Sequence, residues 1–159
     1  MTATAGQAER VERSSGGRDG VKIAIVVFGL IGLVIAGYTT YEHYSDFGTL
    51  LCLGGHHGHS SCQTVQSSAW SRLDGVPVAV LGLVGYFVLL LSLAFRGDLP
   101  RAFAFCVALI GFGFSAYLTY RELFTIKAIC EWCVGSAICM TILMILTAVR
   151  FLRGDPAAP

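Results

Sequence analysis

"VKIAIVVFGLIGLVIAGYTTY", residues 21–41, carries a single charged side chain, Lys22, at its start and is otherwise apolar apart from glycine, threonine and tyrosine. At about 1.5 Å per residue, a helix of this length crosses the ~30 Å hydrocarbon core of a bilayer. Residues 76–95, 102–120 and 132–151 repeat the pattern. Composition agrees: 55% of the residues are hydrophobic, 13% are charged, and the mean hydropathy is +0.69, outside the usual balance of a soluble domain. The reading is all-α, an integral membrane four-helix bundle over residues 21–152. The first span is too long for a signal-peptide core and lacks a clear cleavage site, so it is read as a retained anchor. Residues 1–20 mix Arg, Glu, Ser and Gly with little apolar content and are expected to form a disordered cytoplasmic tail. Residues 153–159 form a second tail.

The net charge of +1 argues neither for nucleic acid nor for an acidic partner. Its distribution is informative. Arg10, Arg13, Arg18, Lys22, Arg96, Arg101, Arg150 and Arg153 fall on one side of the four spans, and Arg72, Arg121 and Lys127 on the other. Eight against three places both termini and the 96–101 connector in the cytoplasm. Residues 42–75 and 121–131 then face outward, into the periplasm or exterior of a plasma (inner) membrane, an oxidising space.

Six cysteines divide by position. Cys52 and Cys62 lie in the first outer segment, and Cys130 and Cys133 form a Cys-x-x-Cys pair at the edge of the fourth span. Cys106 and Cys139 lie inside spans, where a lone cysteine reads as a small buried hydrophobe. With span four starting near Trp132, Cys133 falls in its first turn, where free N–H groups and the helix dipole stabilise a thiolate. Cys130 would sit just ahead of the helix, nearer to water and ready for disulfide exchange. A Cys-x-x-Cys pair serves redox or metal chemistry, and the second outward pair favours redox. The alternative is a metal-binding or transport membrane protein using the Cys/His-rich loop "CLGGHHGHSSC", with His56, His57 and His59 between two thiols. The Gly-rich spacing fits no settled finger pattern, and the spans lack mid-membrane carboxylates or histidines.

Two further patterns bear on architecture. "GYTTYEHY" ending span one echoes "AYLTYREL" ending span three, pairing Tyr38 and Tyr41 with Tyr117 and Tyr120, so spans one and three are expected to pack as equivalent elements. After Cys62, Val65, Ala69 and Leu73 recur at four-residue steps beside Trp70, the pattern of a short interfacial lid helix. Gly75 and Pro77 then turn the chain into span two, with Pro77 in its first turn.

Cys62 followed by Ser67, Ser68, Trp70, Gly75, Pro77, Gly82 and Tyr86, then "SAYLTYREL" and "AICEWCVGSAI", resembles a bacterial member of the vitamin K epoxide reductase (VKOR) family across residues 21–150. That resemblance implies a four-helix bundle around a quinone (ubiquinone, menaquinone or related), with Cys52 and Cys62 as the loop pair and Cys130 and Cys133 as the pair at the quinone. The vertebrate enzymes set an Asn and a Tyr against the vitamin K carbonyls. The matching positions here are Val78 and Ala137, so epoxide reduction is not the expected task. Many bacterial relatives carry a fused thioredoxin-like domain, absent from this sequence, so the expected partner is a separate thioredoxin-fold disulfide carrier. In the implied relay the carrier attacks Cys52, Cys62 resolves that exchange and then attacks Cys130, and the freed Cys133 thiolate passes the electrons on. The stripe Phe114, Leu118 and Glu122, with Leu81, Trp132 and Ser68, is the expected quinone pocket.

Overall fold

The computed structural model describes residues 3–45, 65, 71–73, 75–95, 97–127 and 129–153. Cys52, Cys62, the three loop histidines, Ser68 and most of the expected lid lie outside the described residues. Four helices account for nearly all of the rest: α1 (Ala3–Tyr44), α2 (Val78–Ser92), α3 (Asp98–Arg121) and α4 (Glu131–Arg153). A two-stranded hairpin, β1 (Arg72–Leu73) and β2 (Val76–Pro77), precedes α2.

Each helix packs on the next, and α4 returns to α1, closing a ring with α1 and α3 at opposite corners. Neighbours run antiparallel. Gly29, Gly32 and Gly82 show it for α1 and α2: Gly29 meets Leu90, Gly32 meets Tyr86, and Gly82 meets Ala36. The Tyr38 ring near the end of α1 lies 4.9 Å from that of Trp132 at the start of α4. Ile25, Tyr86, Leu89, Ala108, Met140 and Leu143 form the shared core. The outward faces keep large apolar side chains exposed, among them Val34, Phe87, Ile110 and Leu152, which suits lipid rather than water. Hydroxyls in the spans donate back to their own helix: Thr39 to the Ile35 carbonyl, Thr141 to Ala137 and Thr147 to Leu143. That satisfies them where no water is available.

Among the described residues, three helices are long and apolar enough to cross a membrane: the Asp19–Tyr44 part of α1, Asp98–Ile126 and Glu131–Arg153. The second apolar segment differs from expectation. Its regular helix is 15 residues long instead of filling 76–95, because both ends are diverted. Leu73 pairs with Val76, so the chain reverses over two residues, with Gly75 at φ +86°; Asp-Gly is a favoured pair for such a turn. Pro77 therefore belongs to β2 and precedes the helix at φ −60° and ψ 134°. Leu73 likewise sits in a strand and not on a lid helix. At the far end, Leu93 and Ala94 donate to Leu90 and Leu91, tightening the last turn.

Residues 3–20 are helical and continuous with the apolar part of α1. One other expectation is corrected. Cys106 is exposed on α3; Ala104 and Ala108 take the buried face, so position 106 points away from it.

Candidate active site

The Cys-x-x-Cys pair stands where α3 hands over to α4. From Glu122 to Ile126 the helix widens into a π turn, a form that recurs at functional sites. Glu122 faces inward, 5% exposed, while Leu123 and Phe124 face out. Lys127 then ends the turn in the left-handed region, at φ 55° and ψ 31°. This sharp reversal carries the chain back over its own last turn, so the Cys130 backbone N–H donates to Glu122 Oε2 at 3.3 Å. Cys130 starts the next helix. Its carbonyl accepts from Val134 N–H at 3.0 Å, the bond that defines an N-cap residue.

The N-cap position decides which sulfur holds negative charge. A hydrogen bond from the Cys133 side chain lowers the Cys130 thiol below its ordinary range, helped by the backbone N–H groups of Cys133 and Trp132 and opposed by burial and by the Glu122 charge. Both cysteines are free thiols in this structure. Two expectations differ. The Cys133 side chain, helped by the terminal N–H groups that the cap residue receives, favours the thiolate on Cys130 rather than on Cys133. Cys130 is also 0% exposed instead of open to water, because Val65 packs on it together with Ile126 and Trp132.

Cys133 is half-buried and lines a cavity of about 440 Å³ between the helices, within the ~300–1,000 Å³ range of small-molecule sites. Its walls are mainly apolar. Leu81, Phe114, Leu118, Glu122 and Trp132 all line it, so the structure brings together five of the six residues expected at a quinone. Ser68 lies outside the described residues. Val78 and Ala137 line it too, adding an isopropyl and a methyl group to the apolar wall. Polar groups gather at two levels. Glu122 and Cys133 lie at one. One helical turn deeper, the fully buried Tyr86 hydroxyl donates to the Ser136 carbonyl at 2.8 Å and shares a 2.9 Å bond with Ser136 Oγ. A flat, largely apolar ring with polar atoms at its edges suits this lining.

Sequence reasoning passed over Ser136 and Val65 as site residues. Ser136 follows Cys133 by three positions and so shares its helix face, a signal that was available; the seat of Val65 on Cys130 is a tertiary contact with no local signature. The tyrosine echo divides in the same way. Tyr38 meets Trp132, whereas Tyr117 accepts a 3.1 Å hydrogen bond from Arg121 Nε and lies under its guanidinium. Matching words thus make different contacts at opposite corners. Cys139 is buried in α4 as expected.

A sequence model of the Vitamin K epoxide reductase family matches residues 23–148. The chain belongs to that family and is a membrane oxidoreductase.

Proposed function

We propose that this family member is a quinone-dependent thiol oxidoreductase that makes disulfides. Electrons from a separate thioredoxin-fold carrier outside the membrane enter at Cys52/Cys62, move by exchange to Cys130/Cys133, and leave to a membrane quinone. Both termini are cytoplasmic in this reading, and the cysteines face the oxidising side, where such a relay can hold carrier disulfides formed.

The observation that carries the reading is the placement of the pair between two neighbours. Cys133 opens onto the apolar cavity, and Cys130 lies under Val65. Cys62 precedes Val65 by three residues, so chain length alone keeps the two backbones within roughly 10 Å. One sulfur of the helix pair is thus within reach of the loop and the other borders the cavity. The cavity would hold a quinone ring against Leu81, Phe114 and Leu118, and the quinone would supply the two-electron sink. The chain's own groups do the rest: Trp132 and Val65 keep water from the sulfurs, and the α4 N-terminus stabilises the Cys130 thiolate released when the incoming loop dithiol has reduced the Cys130–Cys133 disulfide.

Absorbance measurement of quinone reduction by the purified protein, given a reduced thioredoxin-fold carrier, tests this. Turnover that depends on all four outward cysteines is expected. Cys62→Ser should strand a Cys52–carrier mixed disulfide, and Cys133→Ser a Cys62–Cys130 bond, both read on non-reducing gels with mapping of the linked peptides. Quinone reduction that persists without the loop pair would remove Cys52 and Cys62 from the relay.

A further inference from the structure

Oxidising two thiols and reducing a quinone moves two electrons and two protons, and the protons need a route in a site that excludes water. Among the described residues lining the cavity, Glu122 is the one carboxyl group. It is 5% exposed, accepts from the Cys130 backbone N–H, and lines the same cavity as Cys133, close enough to act on its thiol. The Cys133 S–H therefore has two acceptors in reach, the Cys130 sulfur and the Glu122 carboxylate.

We infer that Glu122 is the catalytic proton acceptor for the Cys133 thiol and returns that proton to the cavity as the electrons leave. The inference rests on the quinone-linked reading above. The reduced site starts as Cys130 thiolate and Cys133 thiol, the Cys130 proton having gone to solvent. As the Cys130–Cys133 S–S bond forms, the Cys133 S–H bond breaks and its proton passes to Glu122 Oε. Two electrons go to the quinone, which takes one proton from Glu122 and one from water at the cavity mouth. Charge favours this order. A Cys130 thiolate, a Cys133 thiolate and a Glu122 carboxylate together would concentrate three negative charges in a poorly hydrated space. Passing one proton between Cys133 and Glu122 keeps that number at two or fewer throughout.

Other groups that titrate or carry charge around the site are accounted for. His43 of α1, Tyr86 of α2 and Arg121 line the same cavity. Arg121, beside Glu122, donates to the Tyr117 hydroxyl and to Thr125. The Glu122 carboxyl meets the Cys130 N–H directly and shares the cavity wall with Cys133.

The test uses the full chain in detergent. Infrared difference spectra between the dithiothreitol-reduced protein and protein oxidised electrochemically without quinone, where nothing takes the proton on from Glu122, should contain a carboxylic-acid carbonyl band in the oxidised state, and Glu122→Gln should remove it. In single-turnover oxidation of the pre-reduced protein by a short-chain ubiquinone, Glu122→Gln should slow disulfide formation about 10²-fold, the usual size of a general-base contribution. The pH dependence of that step should flatten as well. Gln retains an acceptor for the Cys130 N–H, so thermal unfolding and the count of titratable thiols should stay at wild-type values. Wild-type single-turnover rates in Glu122→Gln, or an unaltered carbonyl band in that variant, would overturn the assignment. The infrared measurement needs no quinone. A wild-type protein that shows the band but reduces no quinone therefore sinks the functional reading while leaving Glu122 as the thiol's proton acceptor.

Discussion

The seam between α1 and α2 is closed, and the seam between α2 and α3 is open. In the first, the absence of a side chain lets the helices approach. A Cβ on Gly32 would run into the Tyr86 ring, and one on Gly29 would sit 2.6 Å from Leu90 Cδ2. This small-residue contact is how helices gain packing in lipid, where burial of apolar surface from water offers no drive. In the second, Leu81 of α2 and Phe114 and Leu118 of α3 line the cavity. Tyr86 joins the two: its ring closes one seam, and its hydroxyl, bonded to Ser136, forms part of the wall of the other. The bundle concentrates its helix contact on one side of α2 and leaves a cavity on the other.

Four substitutions or measurements would break or sharpen that contrast. The largest effect is expected from Cys133→Ser on the open side. It should lower quinone reduction on the order of 10³-fold or more while thermal unfolding stays within about 0.5 kcal/mol of wild type. A substantial loss of stability would mean that the open seam also holds the bundle together.

Gly32→Val should do the opposite. Forcing Tyr86 aside overpacks the closed seam and breaks its bonds to Ser136, for a loss of about 1–3 kcal/mol or more. Gly37→Ala is the control, since its Cβ would meet Leu83 at an ordinary 3.8 Å. Equal melting temperatures for the two variants would refute the close-approach account.

Filling the cavity is a milder change. Ala137→Phe should raise the KM for quinone about tenfold, equivalent to about 1.4 kcal/mol, with little effect on exchange between the loop and the Cys130/Cys133 pair. An unchanged KM would mean that the quinone binds elsewhere.

The smallest expected effect concerns pH. In reduced protein carrying Cys52→Ser, Cys62→Ser, Cys106→Ser and Cys139→Ser, ultraviolet thiolate absorbance should show the Cys130 thiol titrating below the ordinary range, as its hydrogen bond from Cys133 requires. A thiol whose pKa is lower folded than unfolded contributes stability above the unfolded value and loses that contribution as pH falls through the folded value. The reduced protein should therefore be slightly less stable on the acid side of that transition, and the disulfide form, which has no thiol to titrate, should lack the step. A first thiol titrating at or above the ordinary value would remove the capping argument.

Much of the site was legible because apolar runs and helix spacing act locally. Phe114, Leu118 and Glu122 recur at four-residue steps, and that periodicity brought all three to one face. The π turn starting at Glu122 and the left-handed Lys127 carry no comparable pattern. They arise where the chain must reverse within a few residues and return Cys130 to Glu122, a demand set by the position of α4. The exposure of Cys106 was misread for a related reason: in lipid, an outward-facing cysteine is as well accommodated as a buried one, so hydrophobicity does not report which face it takes.

By itself the sequence determined that the chain enters a membrane, that its apolar runs form helices, and that a Cys-x-x-Cys pair opens the last of them. These follow from transfer free energy and from backbone hydrogen bonds that must be satisfied within each segment. Only the tertiary structure decided that Val65 covers Cys130, that Glu122 reaches the Cys130 N–H, and that α2 leaves a cavity against α3. Each of these depends on side chains from different helices meeting at a few ångströms, and such contacts are set by how the ring closes, not by any residue's own preference.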